Sequence, residues 1–509
     1  MFNPRTSLLS ILSLLILPGI YSCGTDREVT VVDRNPERVS TETPEETEAG
    51  QAVLRVGELN PVLSLDPLFA VNTTSRRTVN HIYEGLVAYD EHNNIKPAGA
   101  RRWEVSDDSL TYTFHLDRQV FFHDSEVFHN GIGRRVRASD YVRAFHRMAS
   151  PQVPEIAAEL FIDHIRGFES YYKEQREVYF PEDRFVNEIS GIRARNDSTL
   201  VFELDEPSEH FLQKLASPLA VVYPPEAINR DSQRLRRQPV GTGPFAMNTA
   251  IGDSIYVLEK NEEFAERQTD YETPQIDRLE ILQIPDETRL YQQLALDNID
   301  LIADLGPGMI SELINEENEL NSAYAPNYRL LSQERSEPLI VNFNPNNRFR
   351  LSAEHAQGLI ARLSQQALID STGIASIQVQ KSTENDDGAY FGELTERFPP
   401  DGETALPFAF QRDLEVGLIS GHLLEQISGD INVSLLPRRV SSRDIFMYIT
   451  RPMLATPGAH IPRRSDEVMR ITYDRHLIMR DDISNIHIND MAWWLDLTRA
   501  EVPVAEPEI

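Results

Sequence analysis

Cysteine and lysine are nearly missing from this sequence. A single cysteine, Cys23, stands in 509 residues. One thiol cannot close an internal disulfide, and it excludes any multi-cysteine metal site within the chain. Of the 49 basic residues only five are lysine (Lys96, Lys173, Lys214, Lys260 and Lys381); arginine supplies the rest. Positive charge also falls short of negative, 49 against 80, for a formal net charge of −31. Such a chain repels nucleic-acid phosphates and anionic membrane faces, so it is not expected to bind DNA or RNA. Two explanations of the acidity stand side by side: a high-salt habitat, where excess carboxylates keep a surface hydrated, and genome composition with ordinary acidity. Catalytic signatures are missing as well. No G-x-S-x-G, H-E-x-x-H, P-loop or nucleotide-binding glycine pattern stands in context. Asp107-Asp108 and Glu262-Glu263 are adjacent carboxylates that read as solvated turns. No enzyme, cofactor or metal site is expected. His123 and His129 flank Asp124 but read as part of a surface loop.

The first residues are an address. Arg5 gives a positive start, Leu8 to Leu17 is apolar, and Pro18-Gly19 breaks the run. The run is too short for a permanent membrane span and has the length of a signal core. Ser22-Cys23-Gly24 then resembles the lipobox of bacterial lipoproteins, which implies a diacylglycerol on Cys23; the plainer alternative is a signal peptide with an incidental cysteine. No later segment is apolar enough to cross a membrane, so acyl chains are the only anchor expected. Thr25 to Gly50 is acidic, rich in Thr and Pro, and has no apolar periodicity, which reads as a tether.

Beyond it, 40% hydrophobic and 25% charged residues suit a folded chain of two or three lobes. Ala52–Gly57 and Leu110–Leu116 alternate as strands. Ser75–Leu86 has helical spacing, with Gly85 as a left-handed cap. Ala138–Met148 reads as a helix capped by Ser139. Strands alternating with helices point to α/β lobes.

An ordered series of motifs then identifies a family. Leu54-Arg55-Val56-Gly57 with Ser64-Leu65-Asp66-Pro67, Ile82-Tyr83-Glu84-Gly85-Leu86-Val87, and Trp103-Glu104-Val105-Ser106-Asp107-Asp108 follow one another. Val120-Phe121-Phe122-His123-Asp124, Ala138-Ser139-Asp140-Tyr141-Val142, Asp197-Ser198-Thr199-Leu200, Pro239-Val240-Gly241-Thr242-Gly243-Pro244-Phe245 and Asn298-Ile299-Asp300 continue the order. The series resembles the family 5 extracellular solute-binding proteins, the peptide-binding subunits of ABC importers. The resemblance implies an α/β, two-lobed periplasmic-binding-protein fold (type II, peptide-binding-like) with a hinge between lobes. It implies a signal peptide over 1–22 and a tether over 23–51. The N-terminal lobe spans 52–305 with an inserted subdomain over about 87–195, the second lobe 306–465, and the return segment 466–509.

The ligand-facing candidates it implies are Val71, Asn72 and Thr73 in the first lobe and Phe343 and Asn344 in the second. Gly241, Thr242, Gly243, Pro244 and Phe245 form a hinge or scaffold motif, in which the glycines supply backbone angles that a Cβ forbids. In the second lobe, Gly358–Asp370 reads as one helix, and Arg451–Arg470 replaces a longer ligand-contacting stretch of the family, so that lobe reads as shortened. Trp493-Trp494 sits in the return segment. The implied role is capture of a peptide or similar solute for an ABC permease. The alternative is a degenerate relative with a sensing or assembly role.

Overall fold

In the computed structural model, strand Val53–Glu58 (β1) is buried on nearly all its residues and runs parallel to Arg278–Gln283 on one side and Leu301–Ile302 on the other. Parallel neighbours on both sides make it an interior strand of its sheet, and packing over its faces buries it. The structure describes residues 50–504 except 91, 253, 268–273, 316–318, 334–337, 383–388, 411–413, 438–441, 451–465 and 489–494. Cys23, the signal segment, the tether and Trp493-Trp494 therefore lie outside the described residues, as does most of Arg451–Arg470.

β1 lies inside a seven-stranded mixed sheet. The order is Tyr328–Gln333, Arg475–Arg480, Leu301–Ile302, β1, Arg278–Gln283, Ile255–Lys260 and Phe245–Ile251. A six-stranded sheet builds the second lobe, in the order Gln378–Lys381, Glu467–Thr472, Leu339–Phe343, Met447–Thr450, Leu406–Phe410 and Val433–Pro437. Each lobe has its own apolar core, one around Leu54, Phe114 and Leu279, the other around Leu339, Phe408 and Ile471.

The chain passes between the two sheets twice. One runs from Tyr328–Gln333 to Leu339–Phe343; the other is Tyr473-Asp474, between Glu467–Thr472 and Arg475–Arg480. The chain thus leaves the seven-stranded sheet after Gln333 and returns to it after Thr472. The reason is pairing: Tyr328–Gln333 is zipped to Arg475–Arg480, whereas Glu467–Thr472 pairs with Leu339–Phe343.

An additional four-stranded sheet, ordered Ala100–Val105, Thr111–Leu116, Thr199–Glu203 and Ile192–Asn196, packs one face on helix Ala138–Met148. Thr111–Leu116 buries Tyr112, Phe114 and Leu116 and leaves the alternate residues half-buried, as one-sided strands do. Phe202 meets Phe114, Phe145 and Phe211 edge-on at 5.8, 5.1 and 5.5 Å.

Two helix readings change. Helix Thr73–Ile82 (α1) starts earlier than expected because Asn72 caps it, accepting from Ser75 N at 3.3 Å. It ends at Ile82, and Gly85 does not take the left-handed cap; a Cβ there would meet Leu215 O at 2.9 Å. Helix Ala138–Met148 (α2) is capped by Asp140, which accepts from Arg137 N at 2.9 Å, rather than by Ser139. In the second lobe, the segment 358–370 divides between helices Ala353–Ala361 and Gln365–Thr372, because Ser364 caps a second start by accepting from Ala367 N.

Candidate functional site at the lobe-joining edge

The carboxyl ends of the parallel strands gather at one edge of the larger sheet. Glu58, the last residue of β1, sits opposite Gln283. Asp304 follows Leu301–Ile302. Arg475 opens its antiparallel strand at the same edge, opposite Gln333. Both crossings to the second lobe start here. In open α/β sheets this edge is where ligands bind.

Four charged side chains form a continuous chain along it. Arg77, on α1, holds Glu58 Oε1 at 2.5 Å and Asp304 Oδ2 at 2.8 Å, and Asp304 in turn holds Arg475. Thr74 donates to the other Glu58 oxygen at 3.0 Å. Glu58 and Arg77 are almost wholly buried. Burial pushes the Glu58 carboxyl up against the pull of Arg77. Because Thr74 reaches Glu58, the first turn of α1 lies at this edge.

Val71, Asn72 and Thr73 lead into α1 and therefore stand beside this edge. Asn72 is committed there: besides capping α1, its Nδ2 donates to Pro61 O at 2.7 Å. The carbonyl of Val71 accepts from Arg76 at 3.3 Å.

Phe343 and Asn344 are not brought to the same place. Phe343 ends, and Asn344 follows, the strand that enters the second lobe at Leu339, so both lie at its far end from the crossing. Phe343 is core, edge-on to Phe446 at 5.9 Å. Asn344 donates to Ile445 O at 2.8 Å and accepts from Asn346 N at 3.0 Å. Their side chains serve the inside of the second lobe.

The Gly241–Phe245 stretch docks on the end of α1. Gly243 N donates to Ile82 O at 2.9 Å. A Cβ on Gly241 would lie 1.9 Å from Ile82 O, and one on Gly243 2.7 Å from Ile82 C. Neither glycine has a positive φ, so close approach, not backbone angle, requires them. His123 N donates to Gly241 O at 2.8 Å, and its Nε2 donates to Gly243 O at 3.0 Å. Buried Arg267 donates to Thr242 O and grips both oxygens of Glu84 at 2.9 and 2.8 Å. Phe245 is buried against His81. The stretch lies wholly within the first lobe, outside both crossings. His123 was read as part of a surface loop; it is instead a buried clamp, and burial brings its imidazole down to about 4.

Among the described residues no cluster of three or more His, Cys, Asp or Glu side chains is placed to hold a metal. No described helix is long and apolar enough to cross a membrane.

Comparison with known proteins places this geometry. The family model described as bacterial extracellular solute-binding proteins, family 5 Middle, matches residues 94–356. The dipeptide-binding protein DppE of Bacillus subtilis (strain 168) is 26% identical over 279 residues, 51% of this chain and 47% of its own length. Heme-binding protein A of Haemophilus influenzae is 29% identical over 276 residues, 52% of this chain and 47% of its own. The chain thus spans about half the length of the curated relatives it matches. By structure, an oligopeptide-binding protein of Borrelia burgdorferi superposes with a TM-score of 0.67 at 15% identity, over 89% of this chain and 100% of its own. The OppA protein of Haemophilus influenzae, solved with the peptide RPPGFSPFR, gives 0.66 at 13%, over 89% and 99%. The fold is that of the two-lobed periplasmic binding proteins, and the chain belongs to the bacterial extracellular solute-binding proteins of family 5, which bind solutes and are not enzymes.

Proposed function

We propose that this chain is a lipid-anchored, extracytoplasmic receptor that captures a peptide or similar small solute between its lobes and delivers it to an ABC-type permease. One observation carries the reading: the chain leaves the first lobe after Gln333 and returns to it at Arg475, two paired residues at the edge that gathers Glu58, Asp304 and the first turn of α1. Two short crossings at one edge suit a hinge, and closure about them would enclose a solute against that edge. Val71 and Thr73 are the ligand-facing residues of the first lobe in this proposal, and the lobes divide at the crossings. An extended peptide bonded through its main chain gives affinity with little sequence preference. The named relatives and neighbours bind dipeptides, oligopeptides or heme, which supports a solute of peptide size. Ser22-Cys23-Gly24 after an apolar run supports the acyl anchor.

The test is a thermal-shift screen of the chain from residue 24 onward against pooled short peptides, sugars, amino acids and heme. A ligand at a hundredfold excess over its Kd adds about 2.7 kcal/mol to the folded state and raises the melting temperature. A shift with one peptide class supports the proposal and names the substrate. A cooperative melt that none of the pools moves contradicts it and favours a sensing or assembly role.

A further inference from the structure

A cavity of about 670 Å³ opens in the inserted layer, between the end of α2, the helix Phe168–Glu177 and the segment 178–184. That volume lies within the range of small-molecule sites. Its lining includes three arginines, Arg147, Arg176 and Arg184, and no acidic residue. This is unusual in a chain of net charge −31.

The three charges are not equally balanced. Arg147 is held by both oxygens of Asp66, one at 2.9 Å. Arg176 donates to the carbonyls of Ser150 and Val153 at 3.0 and 2.7 Å, and its nearest carboxylate is Glu155 at 3.8 Å, itself 70% exposed. Arg184 donates to Gln175 Oε1 at 2.7 Å and to Val178 O at 3.2 Å, and has no carboxylate partner among the described residues. Neutral carbonyls orient these two cations without cancelling their charge. A second feature points the same way. Tyr171 is only 9% exposed, lines the cavity, and its hydroxyl has no hydrogen-bond partner among the described residues. Tyr179, 86% exposed, adds an aromatic wall.

We infer that this cavity is a second binding site, separate from the lobe-joining edge, for a small anionic solute bearing a carboxylate or phosphate. Arg176 and the Nη1 hydrogen of Arg184 that Gln175 leaves free take the oxyanion through charge-assisted bonds. The Tyr171 hydroxyl donates a further bond, and Tyr179 lies against the rest of the solute.

The test is isothermal titration of the chain from residue 24 onward with potassium phosphate and, separately, potassium benzoate, at an ionic strength held constant with potassium chloride. Saturable one-site binding of either probe is expected, and the better probe tells phosphate from carboxylate chemistry. Arg184→Gln should weaken it about tenfold or more, the loss of one charge-assisted bond. Arg184 also ties its segment to Gln175, so Tyr171→Phe is the milder control: it should weaken binding several-fold with an unchanged melting temperature. Absence of saturable binding by both probes at millimolar concentration overturns the inference, as does binding that neither substitution weakens.

Discussion

Arg77 shows what one side chain does at the lobe-joining edge. It is the only described partner that brings positive charge directly to both Glu58 and Asp304, and both it and Glu58 are nearly fully buried. Arg77→Met leaves the Glu58 carboxylate in a low-dielectric site, which should cost about 3–5 kcal/mol in urea denaturation. Lys173→Ala, at the exposed Lys173–Glu169 pair, should leave the denaturation midpoint essentially unchanged in the same assay. His123 gives a pH signature. Burial lowers its pKa from 6.5 to about 4, so the folded state refuses a proton that the unfolded chain accepts. Its contribution is whole above pH 6.5 and is lost as pH falls toward 4, about 3 kcal/mol in all. His123→Gln, which can still donate to Gly243 O, should start less stable at pH 7 but lose less on acidification. Parallel slopes for the two proteins between pH 6.5 and 4 would contradict this. Little of this was legible in the sequence. Asp304 bonds Arg77 across 227 positions and Arg475 across 171, and no local pattern marks such pairs. His123 stands where apolar Val120-Phe121-Phe122 gives way to polar Asp124-Ser125-Glu126, and nothing nearby in sequence signals that Gly241–Gly243 will cover it.

At the scale of elements the sequence says more, because periodicity and turn chemistry are local. The strand Thr111–Leu116 and the helix Ala138–Met148 follow directly from alternation and helical spacing. The segment 358–370 misled because its apolar spacing continues through Ser364, whereas the side chain of that serine starts a new helix. The glycines at 241 and 243 were legible as required but not for the right reason, since a close approach to Ile82 is a tertiary fact. Gly241→Ala should destabilise by several kcal/mol, because its Cβ meets a backbone oxygen and not a movable side chain. Gly421, inside helix Leu414–Ser428, has nothing within 4 Å of a Cβ. Gly421→Ala should stabilise by about 0.5–1 kcal/mol through helix propensity. Chemical denaturation of both variants checks the contrast.

At the scale of the whole molecule, the order of family motifs anticipated two α/β lobes, but it placed the boundaries at 305 and 465. Sheet pairing places the changes of sheet after Gln333 and Thr472. Phe343 and Asn344 were carried over from the family pattern without knowing which end of their strand meets the crossing, and the strand direction separates them from Val71–Thr73. The central claim is that the lobes close about those crossings around a solute. The chain from residue 24 onward contains no cysteine, so two can be introduced cleanly. Leu296, 67% exposed in the first lobe, and Tyr390, 37% exposed in the second, are suitable positions. The decisive measurement is the distance between spin labels on Leu296→Cys and Tyr390→Cys, by pulsed electron paramagnetic resonance, with and without a peptide that raises the melting temperature. A changed and narrower distance distribution with the peptide bound is the predicted result. An identical distribution in both states would contradict closure about the crossings.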